Sequence, residues 1–183
     1  MPSFMKKALD AANQAKGRLE EYRANQDAAS IAPVEHTPDP QDVAALTGAL
    51  RRGAVDPRPL LTVGEASEVA GQPLGGPQIT YSDQSLGVRY AAADRRGRRW
   101  SVELVTWYLE DGADDVDAVW DMLQPAWELG EPVESVGRLS SWDGSRLFVR
   151  ADHVVFHVEV SVPDEVSSRG RARLAAQDVL ARL

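Results

Sequence analysis

The sequence predicts an α+β sandwich: a single antiparallel sheet of about six strands in two groups of three, arranged α-βββ-α-βββ-α and packed against helices, behind an N-terminal helix and a linker. Three observations carry that expectation. Apolar residues recur with period two from about 78 to 109 and again from 133 to 162. Between these runs Val116, Val119, Trp120, Leu123 and Trp127 recur with helical period. Within each run the strands are joined by turns too short for a crossover, so neighbours run antiparallel.

Residues 1–25 are rich in good helix formers, and Met5, Ala8, Ala12, Ala15, Leu19 and Tyr22 recur at spacings of three and four, a thin heptad seam. Residues 26–39, with Pro33 and Pro38 and no period, read as a flexible linker ahead of an α+β domain at 40–183 whose core spans about 58–183. Asp39-Pro40 supplies a helix cap followed by proline at the first helical position, with Val43, Leu46 and Leu50 on one face. Thr62 and Glu65 form a capping box for a helix running to Gly71, after which the glycine-rich stretch to Pro77 is a loop. Strands are expected around Ile79–Tyr81, Leu86–Tyr90 and Trp100–Leu109, the last covered on both faces at one end because both of its alternating sets are apolar. Asp114 or Asp115 caps the next helix, and Pro125 kinks or ends it near Gln124. Three strands follow, Val133–Trp142, Arg146–Arg150 and His153–Val162, the last with Val154, Phe156, Val158, Val160 and Val162 on a core face and His153, His157, Glu159 and Ser161 on a wetter one. A helix from about Ser168 closes the chain, with Ala172, Ala176, Val179, Leu180 and Leu183 inward.

The net charge of −8 over 183 residues is unevenly spread. Five basic groups (Lys6, Lys7, Lys16, Arg18, Arg23) against Asp10, Glu20 and Glu21 leave residues 1–25 at +2, and the other 158 residues, with 15 basic and 25 acidic groups, at −10. An acidic body repels phosphate backbones, so no nucleic acid is expected as a partner. The absence of cysteine excludes disulfides, thiolate metal sites and cysteine nucleophiles. Residues 8–14 are polar where a secretory signal needs an apolar run, and no stretch approaches 18 apolar residues, so a cytoplasmic protein is expected, at most peripheral to a membrane.

Catalytic patterns are sparse. The 71–77 loop lacks the Gly-Lys-Ser/Thr ending of a phosphate loop, and Ser140 and Ser141 lack the glycines of a nucleophile elbow. His153 and His157, four strand residues apart, are separated by about 13 Å, too far to share a metal ion. His157 and Glu159, about 6–7 Å apart, join a site only if neighbouring strands complete it. Glu110, Asp111, Asp114, Asp115, Asp117 and Asp121 lack the alternation of a calcium loop and are explained by helix capping. No enzyme activity, metal or cofactor is therefore expected.

The sharper features are surfaces. Arg95, Arg96, Arg98 and Arg99 crowd one hairpin tip, where guanidinium groups can grip phosphate, carboxylate or an acidic partner, or can simply be solvated and balanced by nearby carboxylates. Val105 and Trp107 lie on the less committed strand face. The N-terminal helix admits three readings: a solvated extension; pairing with itself or a partner protein through residues including Met5, Leu19 and Tyr22; or weak contact with an anionic membrane through Phe4, Met5 and Leu9.

Leu60-Leu61-Thr62-Val63-Gly64-Glu65-Ala66-Ser67-Glu68-Val69-Ala70-Gly71, the strands, and Leu147-Phe148-Val149-Arg150-Ala151-Asp152-His153-Val154-Val155 through Leu174-Ala175-Ala176 and Val179-Leu180 together resemble small sensor-type lipoprotein domains of high-G+C bacteria. The resemblance covers residues 58–183 and implies a PsbP-like α+β sandwich with non-catalytic binding. This chain departs from that family in having neither signal peptide nor lipid-attachment cysteine. The sequence thus points to a non-enzymatic adaptor that binds protein on its sheet face and recruits or oligomerises through its first helix. A secretion-chaperone-like protein, or a small-ligand or lipid carrier, is the alternative.

Overall fold

The computed structural model describes residues 31–94, 98–109, 115–127, 129, 131–133, 136–163 and 168–183. Its elements are β1 (Ile31–Pro33), α1 (Pro40–Arg51), α2 (Val63–Ala70), β2 (Gln78–Tyr81), β3 (Ser85–Asp94), β4 (Arg99–Trp107), α3 (Val116–Ala126), β5 (Glu131–Pro132), β6 (Leu139–Trp142), β7 (Arg146–Arg150), β8 (Val155–Ser161) and α4 (Ser168–Leu180). They form the expected α+β architecture. The antiparallel sheet runs β1-β3-β4-β8-β7-β6-β5, with β2 sharing β3's outer edge with β1.

The helix boundaries follow from local chemistry. Asp39 caps α1 by accepting from the amides of Gln41 and Asp42 at 2.7 and 2.9 Å, and Asp42 returns a bond to the Asp39 amide. Thr62 and Glu65 do the same for α2, which ends on Gly71 in the left-handed conformation. Asp115 caps α3, which continues two residues beyond Gln124 because Pro125 forfeits one intrahelical bond without forcing an end.

One face of the sheet carries the main core. Val88, Val102, Leu104, Leu147, Val149, Phe156 and Val158 there are sealed beneath α2 and α4, which contribute Ala66, Val69, Ala172, Ala175, Ala176 and Val179. Tyr90 reaches through this layer to donate its hydroxyl to Leu61 O at 2.6 Å, and burial pushes its pKa up to about 12. α1 covers Leu86 and Ile79 at the end of the same face. The opposite face is covered at one end by α3, whose Val119, Trp120 and Leu123 pack on Phe148 and Val155.

Several expectations are corrected. Within the stretch read as linker, Ile31–Pro33 pair with Asp94–Ala92, and proline is tolerated because the strand lies at an edge. The strand expected over Val133–Trp142 is divided into β5 and β6, with Gly137 between them at φ +62° and backed against Val149 and the Arg150 carbonyl. β8 begins at Val155, so His153 lies in the preceding turn rather than on the strand face. Leu183 is exposed rather than inward. The helix expected over residues 1–25 lies outside the described residues, as does the linker up to residue 30.

Candidate functional site: the open half of the sheet

On the face opposite the main core, register brings five polar side chains into one row across five strands: Gln78, Arg89, Glu103, Glu159 and Arg146. All five are half-buried. The neighbouring row, Thr80, Gly87, Val105, His157 and Phe148, passes beneath α3 and is dry at its far end. The next row holds the small residues Ala91, Ser101 and Ser161, with Arg99 beyond it on the same face, so half of this face is a shallow, polar floor.

The two charges at the centre are incompletely paired. Arg89 donates to Ser101 Oγ at 3.3 Å, and among the described residues it carries no ion pair. Glu103 receives the Thr80 hydroxyl at 2.7 Å. That bond depends on Gly87: a Cβ there would stand 2.2 Å from Thr80 Oγ1 and 2.8 Å from Val105 Cγ2. The absence of a side chain lets Thr80 lean over Gly87 toward the carboxylate. Glu159 is engaged instead, its Oε2 receiving Arg146 Nε at 2.9 Å, while the Arg146 guanidinium lies 4.5 Å from the Trp127 ring centroid. Arg146 thus ties the end of α3 to the charged row.

His157 marks the dry boundary. Trp107 Nε1–H donates to its Nδ1 at 3.0 Å, which fixes the proton on Nε2, and Phe148 stacks at 4.9 Å between centroids. Burial, with Arg146 nearby, drives its pKa down to about 3. A neutral imidazole with its acceptor nitrogen occupied is a packing group, so the wetter face expected at His157 is corrected: α3 dries it, while Glu159 two residues on stays open. Among the described residues no group of three potential metal ligands is assembled. At the end of β8 a hollow of about 590 Å³ is lined by Glu159 and Ser161 from this face and by Trp142, Val160, Val162 and Arg169 from the main-core side.

The other expected residues divide. Arg98 is drawn back onto Asp94, with Nε–Oδ2 2.7 Å and its amide on Oδ1 at 2.8 Å, and lies over Trp100, so it stabilises the hairpin. Arg99 is exposed at the rim of the open floor. Arg95 and Arg96 lie outside the described residues, as do Phe4, Met5, Leu9, Leu19 and Tyr22. Val105 is 6% exposed, packed over Gly87, and offers almost no contact surface. Trp107 is half-buried, between His157 and the edge of Trp127 at 6.2 Å. Sequence reading missed Arg89 and Glu103; their signal was a charged residue at the polar phase of each of two otherwise apolar strands.

Comparison with protein-family models, curated proteins and solved structures returns no match. Among the described residues no helix is long and apolar enough to cross a membrane.

Proposed function

We propose that the chain is a non-enzymatic protein-docking module, an adaptor that holds a partner on the open half of its sheet and uses its basic N-terminal segment to recruit or self-associate. One observation carries the reading: Arg89 and Glu103 stand side by side on an open, half-buried floor with most of their hydrogen-bonding capacity unspent. A guanidinium and a carboxylate fixed on rigid strands and partly desolvated are suited to accept complementary charges, and arginine in such settings is enriched among the residues that dominate binding. Arg99 at the rim extends the surface. The locked, neutral His157 supports docking over acid–base chemistry. The complete burial of Leu61, Ala66, Ala172, Ala175 and Val179 between sheet and helices supports it over a carrier that needs an internal cavity.

Affinity purification of the full chain from its native cell, beside Arg89→Ala/Glu103→Ala and a control on the outer face of α4, Arg173→Ala, tests this. Proteins retained by the wild type and the control but lost from the double variant are expected. An identical set of bound proteins from all three chains would refute it.

A further inference from the structure

The charges on the open floor are self-complementary. Arg89 and Glu103 stand directly opposite each other on β3 and β4, yet no ion pair joins them. The guanidinium leans instead to Ser101 Oγ, and the carboxylate takes the Thr80 hydroxyl. An acid and a base placed opposite on one face of a sheet ordinarily satisfy each other, so each here is held aside with its charge still to be met. A two-fold axis parallel to the strands and passing between β3 and β4 lays Arg89 of one copy over Glu103 of the other, and the reverse. That is the isologous condition, in which one patch supplies both halves of the contact. We propose that, of the partners the docking reading allows, the floor receives a second copy of this chain related by that axis.

The rest of the floor agrees with that symmetry. The same axis sets Ala91 of one copy against Ser101 of the other, two small side chains that let the faces approach, and sets Arg99 against Ala93 at the rim. α3 packs on Phe148 of β7 and Val155 of β8, to one side of the axis, so the two copies of α3 fall on opposite flanks. An axis across the strands would instead lay Arg89 on Arg89 and Glu103 on Glu103, which like charges oppose, so the charges also choose the orientation. The net charge of −8 on each chain repels at a distance, but salt screens it beyond about 8 Å, whereas the central pairs meet in contact. Three rows on four strands measure roughly 13 by 15 Å. A contact of that size belongs to the small, transient class, so the dimer is expected to form at high micromolar concentration and to exchange.

Sedimentation of the full chain from micromolar to near-millimolar concentration tests this, with Arg89→Glu and Glu103→Arg run alone and mixed. The wild type is expected to pass from monomer to dimer. Each reversal sets like charges together twice in its own dimer and should weaken it by about a hundredfold. In the equimolar mixture one chain offers two acids to the other's two bases, so the wild-type affinity should return, with native mass spectrometry finding one chain of each kind in the dimer. Recovery in the mixture also shows that both variants fold. The milder Arg89→Gln should weaken the dimer by about tenfold. A wild type monomeric throughout, a dimer that neither Arg89→Gln nor the reversals weaken, or a mixture of folded variants no tighter than its components would each overturn the proposal. The docking reading is judged apart from it: a monomeric chain that captures other proteins through Arg89 and Glu103 keeps that reading and loses the second copy.

Discussion

Lowering the pH from 7 to 5 should weaken the fold through His157. At pH 7 the imidazole is mostly neutral in the unfolded chain, where its ordinary value is near 6.5, and neutral in the folded one, where burial holds it at about 3. At pH 5 the unfolded chain binds nearly a full proton at this position and the folded chain almost none. The unfolded state therefore gains stability as pH falls, through the window from about 6.5 to 3, below which the folded imidazole is protonated too. At about 1.4 kcal/mol per pH unit, less the rounding near 6.5, the step from pH 7 to 5 costs about 2 kcal/mol. Asp42, held low by its hydrogen bond to His36, and Asp56, held low by Arg58, lose their contributions only below their ordinary value of 3.8, outside this window. Urea titrations followed by tryptophan fluorescence at both pH values, for the wild type and His157→Gln, isolate the term. With a slope of about 2–3 kcal/mol/M the wild-type midpoint should fall by about 0.7–1 M more than the variant's. Parallel shifts in the two chains would refute the buried neutral imidazole.

Gly87→Ala should cost about 1–3 kcal/mol through the overlap with Thr80 and Val105, read as a fall in Tm of about 2–4 °C per kcal/mol, and should also free Glu103 from the Thr80 hydroxyl; an unchanged Tm would contradict the close approach. Gly75→Ala puts a Cβ 2.0 Å from the Val34 carbonyl oxygen, a backbone atom that cannot rotate away. Because the Val34 and Gly75 amides both donate to Ala91 O at 2.9 Å, their hydrogen-exchange protection should fall together, and loss at one alone would count against the shared edge. Thr62→Ala should cost about 1 kcal/mol by opening the α2 capping box in urea titrations, with Thr62→Asp restoring most of it.

What was legible in the sequence was local. Asp39-Pro40, Thr62 with Glu65, and Gly71 announce helix ends because capping is a matter of a few neighbouring atoms, and the period of two along Leu86–Tyr90 and Phe156–Val160 announces strands because the core pulls on alternate residues. What was hidden depends on partners distant in sequence. Ile31–Pro33 looks like linker because an edge strand needs no hydrophobic period, only the vacant edge of Asp94–Ala92. His157 and Glu159 alternate onto one face, yet only the placement of α3 makes one dry and the other open. Likewise Arg89 and Glu103 are fourteen positions apart and meet through the β3–β4 register, which no local pattern encodes. At the arginine-rich hairpin tip Arg98 is bound to Asp94 and Arg99 is exposed, while Arg89 and Glu103 sit deeper along the same strands.

On the proposed function, the open half of the sheet, and not the helix-covered face, receives the partner. Ala91 lies on that floor beside Ser101, and Leu174, 59% exposed, points away from the body on α4. With a photoreactive residue placed at either position of the full chain in its native cell, illumination should yield discrete protein adducts from position 91 and none from position 174. Adducts from position 174 with none from position 91 would place the partner elsewhere and overturn docking on the sheet.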